Sequence, residues 1–437
     1  MKHLAFGTDG IRGVFGQEPL TPQSLIKLGR ALAQWALSQG KTHIALGHDT
    51  RLSSDLCKAA VKTGLLQFPV TLTDFSVIPT PVLFHRVQHE NFDLGIMITA
   101  SHNPAHHNGI KVLIKLDGKL NEHDEKEISS FFAADTGEFN CDLLGQETTA
   151  HNTQEWYINH LQTFFKHNFL HGLSVVLDCA NGANSTLAPA VFKAFGATVT
   201  TLHALPNGRN INQACGAVHP ESLQDAVKLY NVDFGCAFDG DGDRLTMVSK
   251  DGEVKNGDDL IAILSYHPAY VNQHSFVGTV MTNEGLVEHF TTHHKKFIRT
   301  PVGDKNITDA LKKEHLLLGG EPSGHTILKD FSETSDGIFT ALRCIETAQL
   351  TNNWNCKSFT KFPQVLINLP VSSKKDLNDP HLICLINEGQ KSLIQGRLLV
   401  RYSGTEALLR IMVECNDEVL AHKVGAELSK QLALYLK

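Results

Sequence analysis

The chain has 437 residues, 42% of them hydrophobic and 19% charged, and a formal net charge of −7. That length exceeds what one core needs and implies about two to four domains of ordinary globular composition. The negative balance speaks against nucleic acid as the main partner, because phosphate backbones demand clustered Lys and Arg; a small phosphorylated ligand needs only a locally basic pocket.

Phe6-Gly7-Thr8-Asp9-Gly10-Ile11-Arg12-Gly13 is the first motif. Three glycines around one Asp and one Arg make a loop able to fold close to a ligand, and the planar fork of Arg12 suits a phosphoryl group. Thr21 then caps a helix that has Pro22 at its first position and Leu25, Leu28, Leu32 and Trp35 on one face. Residues 43–47 read as a strand, and Asp49-Thr50-Arg51 turns into a helix at Ser53 or Ser54. The apolar run Leu94–Ile98 reads as a buried strand that empties into Thr99-Ala100-Ser101-His102-Asn103-Pro104. A polar turn at a strand end is where α/β enzymes carry their chemistry, and Ser101 sits at its tip. Asn108-Gly109-Ile110-Lys111 follows and puts the Lys111 cation near that serine.

The pattern weakens over residues 137–152, which predicts a domain boundary. Ser174–Asp178 reads as the first strand of a second unit, Asn181-Gly182-Ala183-Asn184 leads into a helix near 186–195, and a strand over 232–238 delivers Asp239-Gly240-Asp241-Gly242-Asp243-Arg244. Alternate residues of an extended segment point the same way, so three carboxylates converge. Such hard oxygen ligands suit Mg²⁺ or Ca²⁺, and like charges this close call for a cation. In a third unit, strands are predicted over 276–281 and 316–318. The second empties into Gly319-Gly320-Glu321-Pro322-Ser323-Gly324-His325, where Glu321 and Ser323 can bond hydroxyls and His325 can shuttle a proton near neutral pH. The last part changes rhythm, with strands over 363–369, 396–401 and 411–414 and a closing helix from Asp417. Between them Arg401 and Arg410 flank Ser403, Gly404 and Thr405, a combination of backbone N–H groups, hydroxyls and guanidinium forks that binds anions.

The fold class that follows is α/β: three sequential α/β domains of similar layout (1–150, 151–252 and 253–360) and a smaller C-terminal α+β domain (361–437) around a central cleft. No strict sequence repeat accompanies the shared layout. Nine cysteines without a Cys-x-x-Cys pair speak against a disulfide framework and for a reducing, cytoplasmic compartment. No apolar run approaches the roughly 18 residues that span a bilayer, and the first residues lack a signal-peptide core. The pairs His106-His107 and His293-His294 read as solvated neighbours.

These motifs, in this order, resemble the α-D-phosphohexomutase superfamily over nearly the whole chain. The N-terminal Phe-Gly-Thr-Asp-Gly-Ile-Arg-Gly has the form typical of the bacterial phosphoglucosamine mutases, and Thr300-Pro301-Val302-Gly303-Asp304 resembles the same amino-sugar branch. The resemblance implies that Ser101 carries a phosphoryl group and that one oxygen of it, with Asp239, Asp241 and Asp243, completes a Mg²⁺ site. It implies that Arg12, His102, Lys111 and Arg244 stabilise the moving group. Glu321 and Ser323 would grip sugar hydroxyls beside His325, and Arg401, Ser403, Gly404, Thr405 and Arg410 would hold the phosphate that is not transferred. The implied reaction interconverts glucosamine 6-phosphate and glucosamine 1-phosphate through a hexosamine 1,6-bisphosphate, with hexose 1,6-bisphosphate as activator, and feeds amino-sugar and cell-wall precursor synthesis. The implied partner is a small sugar phosphate; a homodimer stays open.

The chain differs from the superfamily pattern in four places: His106-His107 after the serine loop, Pro322 in the sugar loop, Lys305 where the amino-sugar branch has Arg, and Ala407 where Pro is common. None removes a group with an implied catalytic role. Nothing in the residues fixes the contact at C2 of the sugar, so the same chemistry on glucose or mannose phosphates is the nearest alternative. A metal-dependent phosphatase would not need the second phosphate site, and a non-catalytic sensor would not need Ser101 and all three aspartates.

Overall fold

A computed structural model describes residues 4, 6, 7, 10–115, 118–371, 375–402 and 408–436. It divides into two compact units, one of residues 1–280 with 298–357, the other of residues 281–297 with 358–437.

In the first unit, strands β1 (Ile11–Val14), β2 (His43–His48), β3 (Thr71–Val77), β4 (Leu94–Ile98), β5 (His107–Ile114), β6 (Gly118–Lys119) and β7 (Gln146–Thr149) make one sheet. Its order is β1-β5-β4-β2-β3-β7, with β6 on β5. The helix Pro22–Ser38 starts as predicted, with the Thr21 hydroxyl accepting from Ser24 N–H. Its face of Leu25, Leu28, Leu32 and Trp35 is buried against Ile44, Leu46, Leu94, Ile96 and Ile98 in one apolar core. Each fully buried side chain of this kind contributes about 1.5–3 kcal/mol.

The second sheet takes β8 (Ser174–Asp178), β9 (Thr198–Leu202), β10 (Phe234–Phe238), β11 (Leu245–Ser249) and β12 (Val254–Lys255) in the order β12-β11-β10-β8-β9. The third takes β13 (Ser275–Thr279), β14 (Lys296–Thr300), β15 (Leu318–Gly320) and β16 (Thr326–Leu328) in the order β14-β13-β15-β16.

The three sheets share one device. In each, a strand lying parallel to a neighbour (β4, β10 or β15) is followed by an antiparallel return strand (β5, β11 or β16). The loop between the two is the Ser101 loop in the first sheet, the Asp239–Arg244 stretch in the second and the Glu321–His325 stretch in the third. The predicted strand over 316–318 is shifted: the paired residues are Leu318–Gly320, and Leu316 fills the core under Ile307 and Val277 instead. Apolar character marked burial there, not pairing.

In the second unit, β17 (Gln364–Pro370), β18 (Gly396–Tyr402) and β19 (Leu408–Cys415) form an antiparallel sheet ordered β17-β19-β18. The helices Pro380–Lys391 and Glu418–Tyr435 cover its core. Buried Glu414 ties the helix Glu284–Thr292 to that sheet. It accepts from Asn283 Nδ2 at 3.1 Å and from Glu284 N–H at 2.6 Å, and pairs with Arg397 Nε at 2.9 Å. No helix among the described residues is long and apolar enough to cross a membrane.

Candidate active site

Ser101 follows the buried end of β4 with a φ of 53° and is itself buried. A non-glycine residue in this left-handed region persists only where surrounding contacts hold it. Those contacts are unusually many. The Ser101 N–H donates to Thr99 Oγ1 at 2.9 Å, and its carbonyl accepts from Arg51 Nη2 and Asn212 Nδ2, each at 2.9 Å. Arg51 also donates to the carbonyls of Asn103 at 2.8 Å, His107 at 3.0 Å and Pro104, so one guanidinium gathers four carbonyls of the serine loop. Asp49, fully buried, holds Arg51 Nε at 2.8 Å and accepts from Ser54 and Thr99 hydroxyls at 2.8 and 2.7 Å. Neither Arg51 nor Asn212 stood out as a site residue in the sequence. A charged pair directly after a buried strand, Asp49 and Arg51 behind β2, is the signal that marks the first.

The backbone around the serine tolerates no side chain at two neighbours. A Cβ on Gly240 would lie 2.7 Å from the Ser101 carbonyl oxygen, and one on Gly109 would lie 2.6 Å from the Thr99 carbonyl oxygen. The loop and the acidic loop therefore pack backbone to backbone.

The Ser101 hydroxyl donates to Asp239 Oδ2 at 2.6 Å. Asp239 Oδ1 accepts from the N–H groups of Gly242 and Arg244 at 3.1 and 3.2 Å. Asp239, Asp241 and Asp243 each offer an oxygen within 4.8 Å of the others, and all three are buried. Burial, then the charges of Asp243 and Asp241, push the Asp239 carboxyl well above the usual carboxylate range. Asp241 Oδ2 accepts from Thr80 Oγ1 at 2.6 Å and from Lys111 Nζ at 2.8 Å; Lys111 also reaches Asp243 Oδ2 at 2.9 Å. Asp241 Oδ1 is buried with no hydrogen-bond partner among the described residues. An orphaned carboxylate oxygen in a set of three hard donors fits a divalent cation.

His102 Nδ1 lies 3.4 Å from the serine hydroxyl. Burial, then the charges of Arg244 and Arg12, bring its pKa down to about 4, so the imidazole is neutral beside the serine at physiological pH. Arg12 sits on β1 opposite Gly109, and Arg244 lies with Nε 3.9 Å from Asp239 Oδ2. Arg244 and Lys111 thus bring two cations to the carboxylates, and the charge of Arg12 is felt at His102. Lys111 and Lys305 also line a cavity of about 230 Å³ together with Lys119.

His325 lies between two carboxylates. Its Nδ1 lies 3.7 Å from Asp243 and its Nε2 3.2 Å from Asp304. Burial alone would lower its pKa, but hydrogen bonds and charges from those two carboxylates prevail and raise it to about 10. Two carboxylates thus favour the protonated imidazole in the absence of a cation on Asp243. Glu321 Oε1 accepts from Gly303 N–H at 3.0 Å, and Ser323 Oγ lies 3.5 Å from Glu321 Oε2. The motif at 300–304 therefore orients the acidic residue of the sugar loop.

In the second unit, Arg401 and Arg410 are register partners on β18 and β19, and Asn368 is the partner of Arg410 on β17. Directly paired residues share a face, and all three line a cavity of about 290 Å³. Two guanidinium groups on one face suit a bound anion. Ser403, Gly404 and Thr405 lie outside the described residues, as does Ala407.

The four domain families of phosphoglucomutase/phosphomannomutase match in order: alpha/beta/alpha domain I over residues 3–138, domain II over 155–252, domain III over 256–362 and the C-terminal domain over 366–431. A phosphoglucosamine mutase of Coxiella burnetii is 36% identical over 98% of both chains. Among solved structures, a phosphoglucomutase/phosphomannomutase family protein of Burkholderia thailandensis superposes with a TM-score of 0.79 at 22% identity, covering 98% of this chain and 96% of its own. Aspergillus fumigatus N-acetylphosphoglucosamine mutase, solved with GlcNAc-6P and magnesium, superposes with a TM-score of 0.71 at 15% identity, covering 100% of this chain and 96% of its own. These two share the fold.

The domain order defines an isomerase of the phosphohexomutase class, an enzyme that relocates a phosphoryl group on its substrate. Within that class the chain belongs to the phosphoglucosamine mutase family.

Proposed function

We propose that this protein interconverts glucosamine 6-phosphate and glucosamine 1-phosphate, with Ser101 as the phosphoryl carrier. The observation that carries the reading is the 2.6 Å hydrogen bond from the Ser101 hydroxyl to Asp239, which joins a buried serine to a three-carboxylate cluster. Phospho-Ser101 gives its phosphoryl to the free hydroxyl of the substrate: the serine Oγ–P bond breaks and a sugar O–P bond forms. The resulting 1,6-bisphosphate turns over, and its other phosphate returns to Ser101.

Asp239, Asp241 and Asp243, with an oxygen of the phosphoserine, would hold Mg²⁺. When bound, this cation offsets charge on the transferred group, in a reaction where positioning and electrostatics provide most of the catalysis. The Aspergillus fumigatus enzyme was solved with magnesium, which is consistent with that choice. Arg12, Lys111 and Arg244 supply further positive charge, and neutral His102 can accept or donate a hydrogen bond at the serine. Glu321 and Ser323 bind sugar hydroxyls. Arg401 and Arg410, with Ser403, Gly404 and Thr405, hold the phosphate that stays in place. The work divides along the chain: 1–150 carries the serine, 151–252 the metal loop, 253–360 the sugar loop and 361–437 the phosphate cradle. Nine cysteines, all free, fit a cytoplasmic setting.

A substrate comparison tests this. The protein is given Mg²⁺, a trace of hexose 1,6-bisphosphate and, separately, glucosamine, glucose or mannose 6-phosphate, with Ser101→Ala as control. Glucosamine 6-phosphate is isomerised fastest and the variant is inert. Faster glucose or mannose phosphate turnover would move the assignment to phosphoglucomutase/phosphomannomutase chemistry; release of inorganic phosphate alone would remove the mutase reading.

A further inference from the structure

Away from the serine, three histidines converge in the first unit. His85 and His89 are four residues apart on the helix Thr80–His89, a spacing that puts both rings on one face. His160, near the end of the helix Thr153–Leu161, lies against them, with ring centroids 5.3 Å from His85 and 4.6 Å from His89. One ring nitrogen from each of the three lies within 4.8 Å of the others. His85 is fully buried, and neither of its ring nitrogens has a hydrogen-bond partner among the described residues; the same holds for His160 Nε2. Buried polar atoms left this way cost stability unless something satisfies them. Asp336 Oδ2 lies 3.4 Å from His85 Nε2 and accepts from the Tyr157 hydroxyl at 2.6 Å, so one negative charge faces the cluster.

We propose that His85, His89 and His160 form a site for a transition-metal ion of the Zn²⁺ type, separate from the hard-oxygen site of Asp239, Asp241 and Asp243. The donor set decides the class: imidazole nitrogens prefer Zn²⁺ and its neighbours, whereas Mg²⁺ takes oxygen ligands. Nitrogens placed tetrahedrally around Zn²⁺ sit about 3.3 Å apart, given bonds of about 2.0–2.1 Å. The three nitrogens, within 4.8 Å of one another, would draw together on binding. His89 is exposed, which gives the ion a path in, and three protein ligands leave a fourth position for water. Asp336 offsets part of the added charge. The bound ion would staple the helix Thr80–His89 to the helix Thr153–Leu161, beside the N-cap Asp336 of the helix Gly337–Thr351. The competing account is a purely aromatic packing cluster, since His160 stacks on Trp156 and Phe331.

The test uses the full chain, stripped with a chelator and held in excess Mg²⁺ to fill the oxygen site. Zn²⁺ is titrated by calorimetry, Co²⁺ is added as a spectroscopic probe, and thermal unfolding is followed with each. One Zn²⁺ binds per chain, Co²⁺ gives visible d–d bands of nitrogen ligation, and Tm rises. His89→Gln, at an exposed position, and His160→Gln each weaken binding at least tenfold, by analogy with the 10–100-fold cost of disturbing even a ligand's support, and abolish the Tm shift. His203→Gln, in a different Asp-His-Cys grouping, leaves binding intact. No saturable Zn²⁺ binding, or binding that both His89→Gln and His160→Gln leave unchanged, would overturn the proposal in favour of aromatic packing.

Discussion

The Ser101 hydroxyl donates to Asp239 Oδ2 across 2.6 Å, although the two lie 138 positions apart in the chain. The serine at the end of β4 and the carboxylates at the end of β10 are thereby one site. The contact depends on the Ser101 backbone being held in a conformation that serine rarely adopts, and Arg51 holds it together with Thr99 and Asn212.

Arg51 and Asp49 form an ion pair whose side chains are both fully buried. Removing one member of such a pair leaves the other charged and unpaired, at a cost of about 3–5 kcal/mol. Arg51→Met should lose stability in that range in urea denaturation and should lower kcat as the four carbonyls are released. Arg51→Lys should recover part of the stability and little of the rate, because an ammonium cannot match the fork. The double variant Asp49→Asn/Arg51→Met should be less destabilised than the sum of the two single changes. Additive losses would mean that the pair is not coupled.

Gly109→Ala puts a methyl 2.6 Å from the carbonyl oxygens of Thr99 and Ile11, both of them backbone atoms. Neither can swing aside as a side chain would, so β1 and the serine loop must separate. The expected outcome is a loss of about 1–3 kcal/mol, as overpacking elsewhere produces, and a fall in kcat larger than the rise in KM. Wild-type kinetics in this variant would show that the loop's position does not limit the reaction.

Buried Lys111 is bonded to Asp241 and Asp243 of the carboxylate cluster. It shares those oxygens with any bound cation. Lys111→Met should therefore bind Mg²⁺ more tightly by calorimetry while turning over more slowly. Weaker Mg²⁺ binding in the variant would place Lys111 among the groups that organise the metal ligands instead of competing with them.

His325 sets a pH signature for stability. Its folded pKa of about 10 stands above the ordinary value of 6.5. A group raised in this direction stabilises the fold fully below the unfolded pKa and loses that contribution as pH rises toward the folded one. With EDTA present to keep cations off Asp243, the stability difference between wild type and His325→Gln should be largest near pH 6 and should shrink steadily toward pH 10. A difference independent of pH across that window would show that His325 is neutral in the fold.

Much of this architecture was legible in the chain. Leu94–Ile98 and Ser174–Asp178 are strands with the bounds the apolar runs indicate, and the helix Pro22–Ser38 begins at its Thr-Pro signal. The carboxylates at 239, 241 and 243 announced themselves through spacing and flanking glycines. What stayed hidden has a common cause. Arg51 and Asn212 act on backbone carbonyls of the serine loop, 50 and 111 residues away for Ser101, and every residue type presents the same carbonyl. β1 reads as a glycine loop because its register with β5 comes from the partner strand and not from its own four residues. The charge state of His325 depends on Asp304, which only the fold brings within 3.2 Å.

The most direct measurement follows the phosphoryl group itself. The protein is incubated with Mg²⁺ and hexose 1,6-bisphosphate carrying labelled phosphate, digested and mapped by mass spectrometry, then chased with unlabelled glucosamine 6-phosphate. The expected result is label on Ser101 alone, transferred by the chase into bisphosphate and then into glucosamine 1-phosphate, with none on the Ser101→Ala protein. Label on another residue, or label that leaves only as inorganic phosphate, would contradict Ser101 as the carrier.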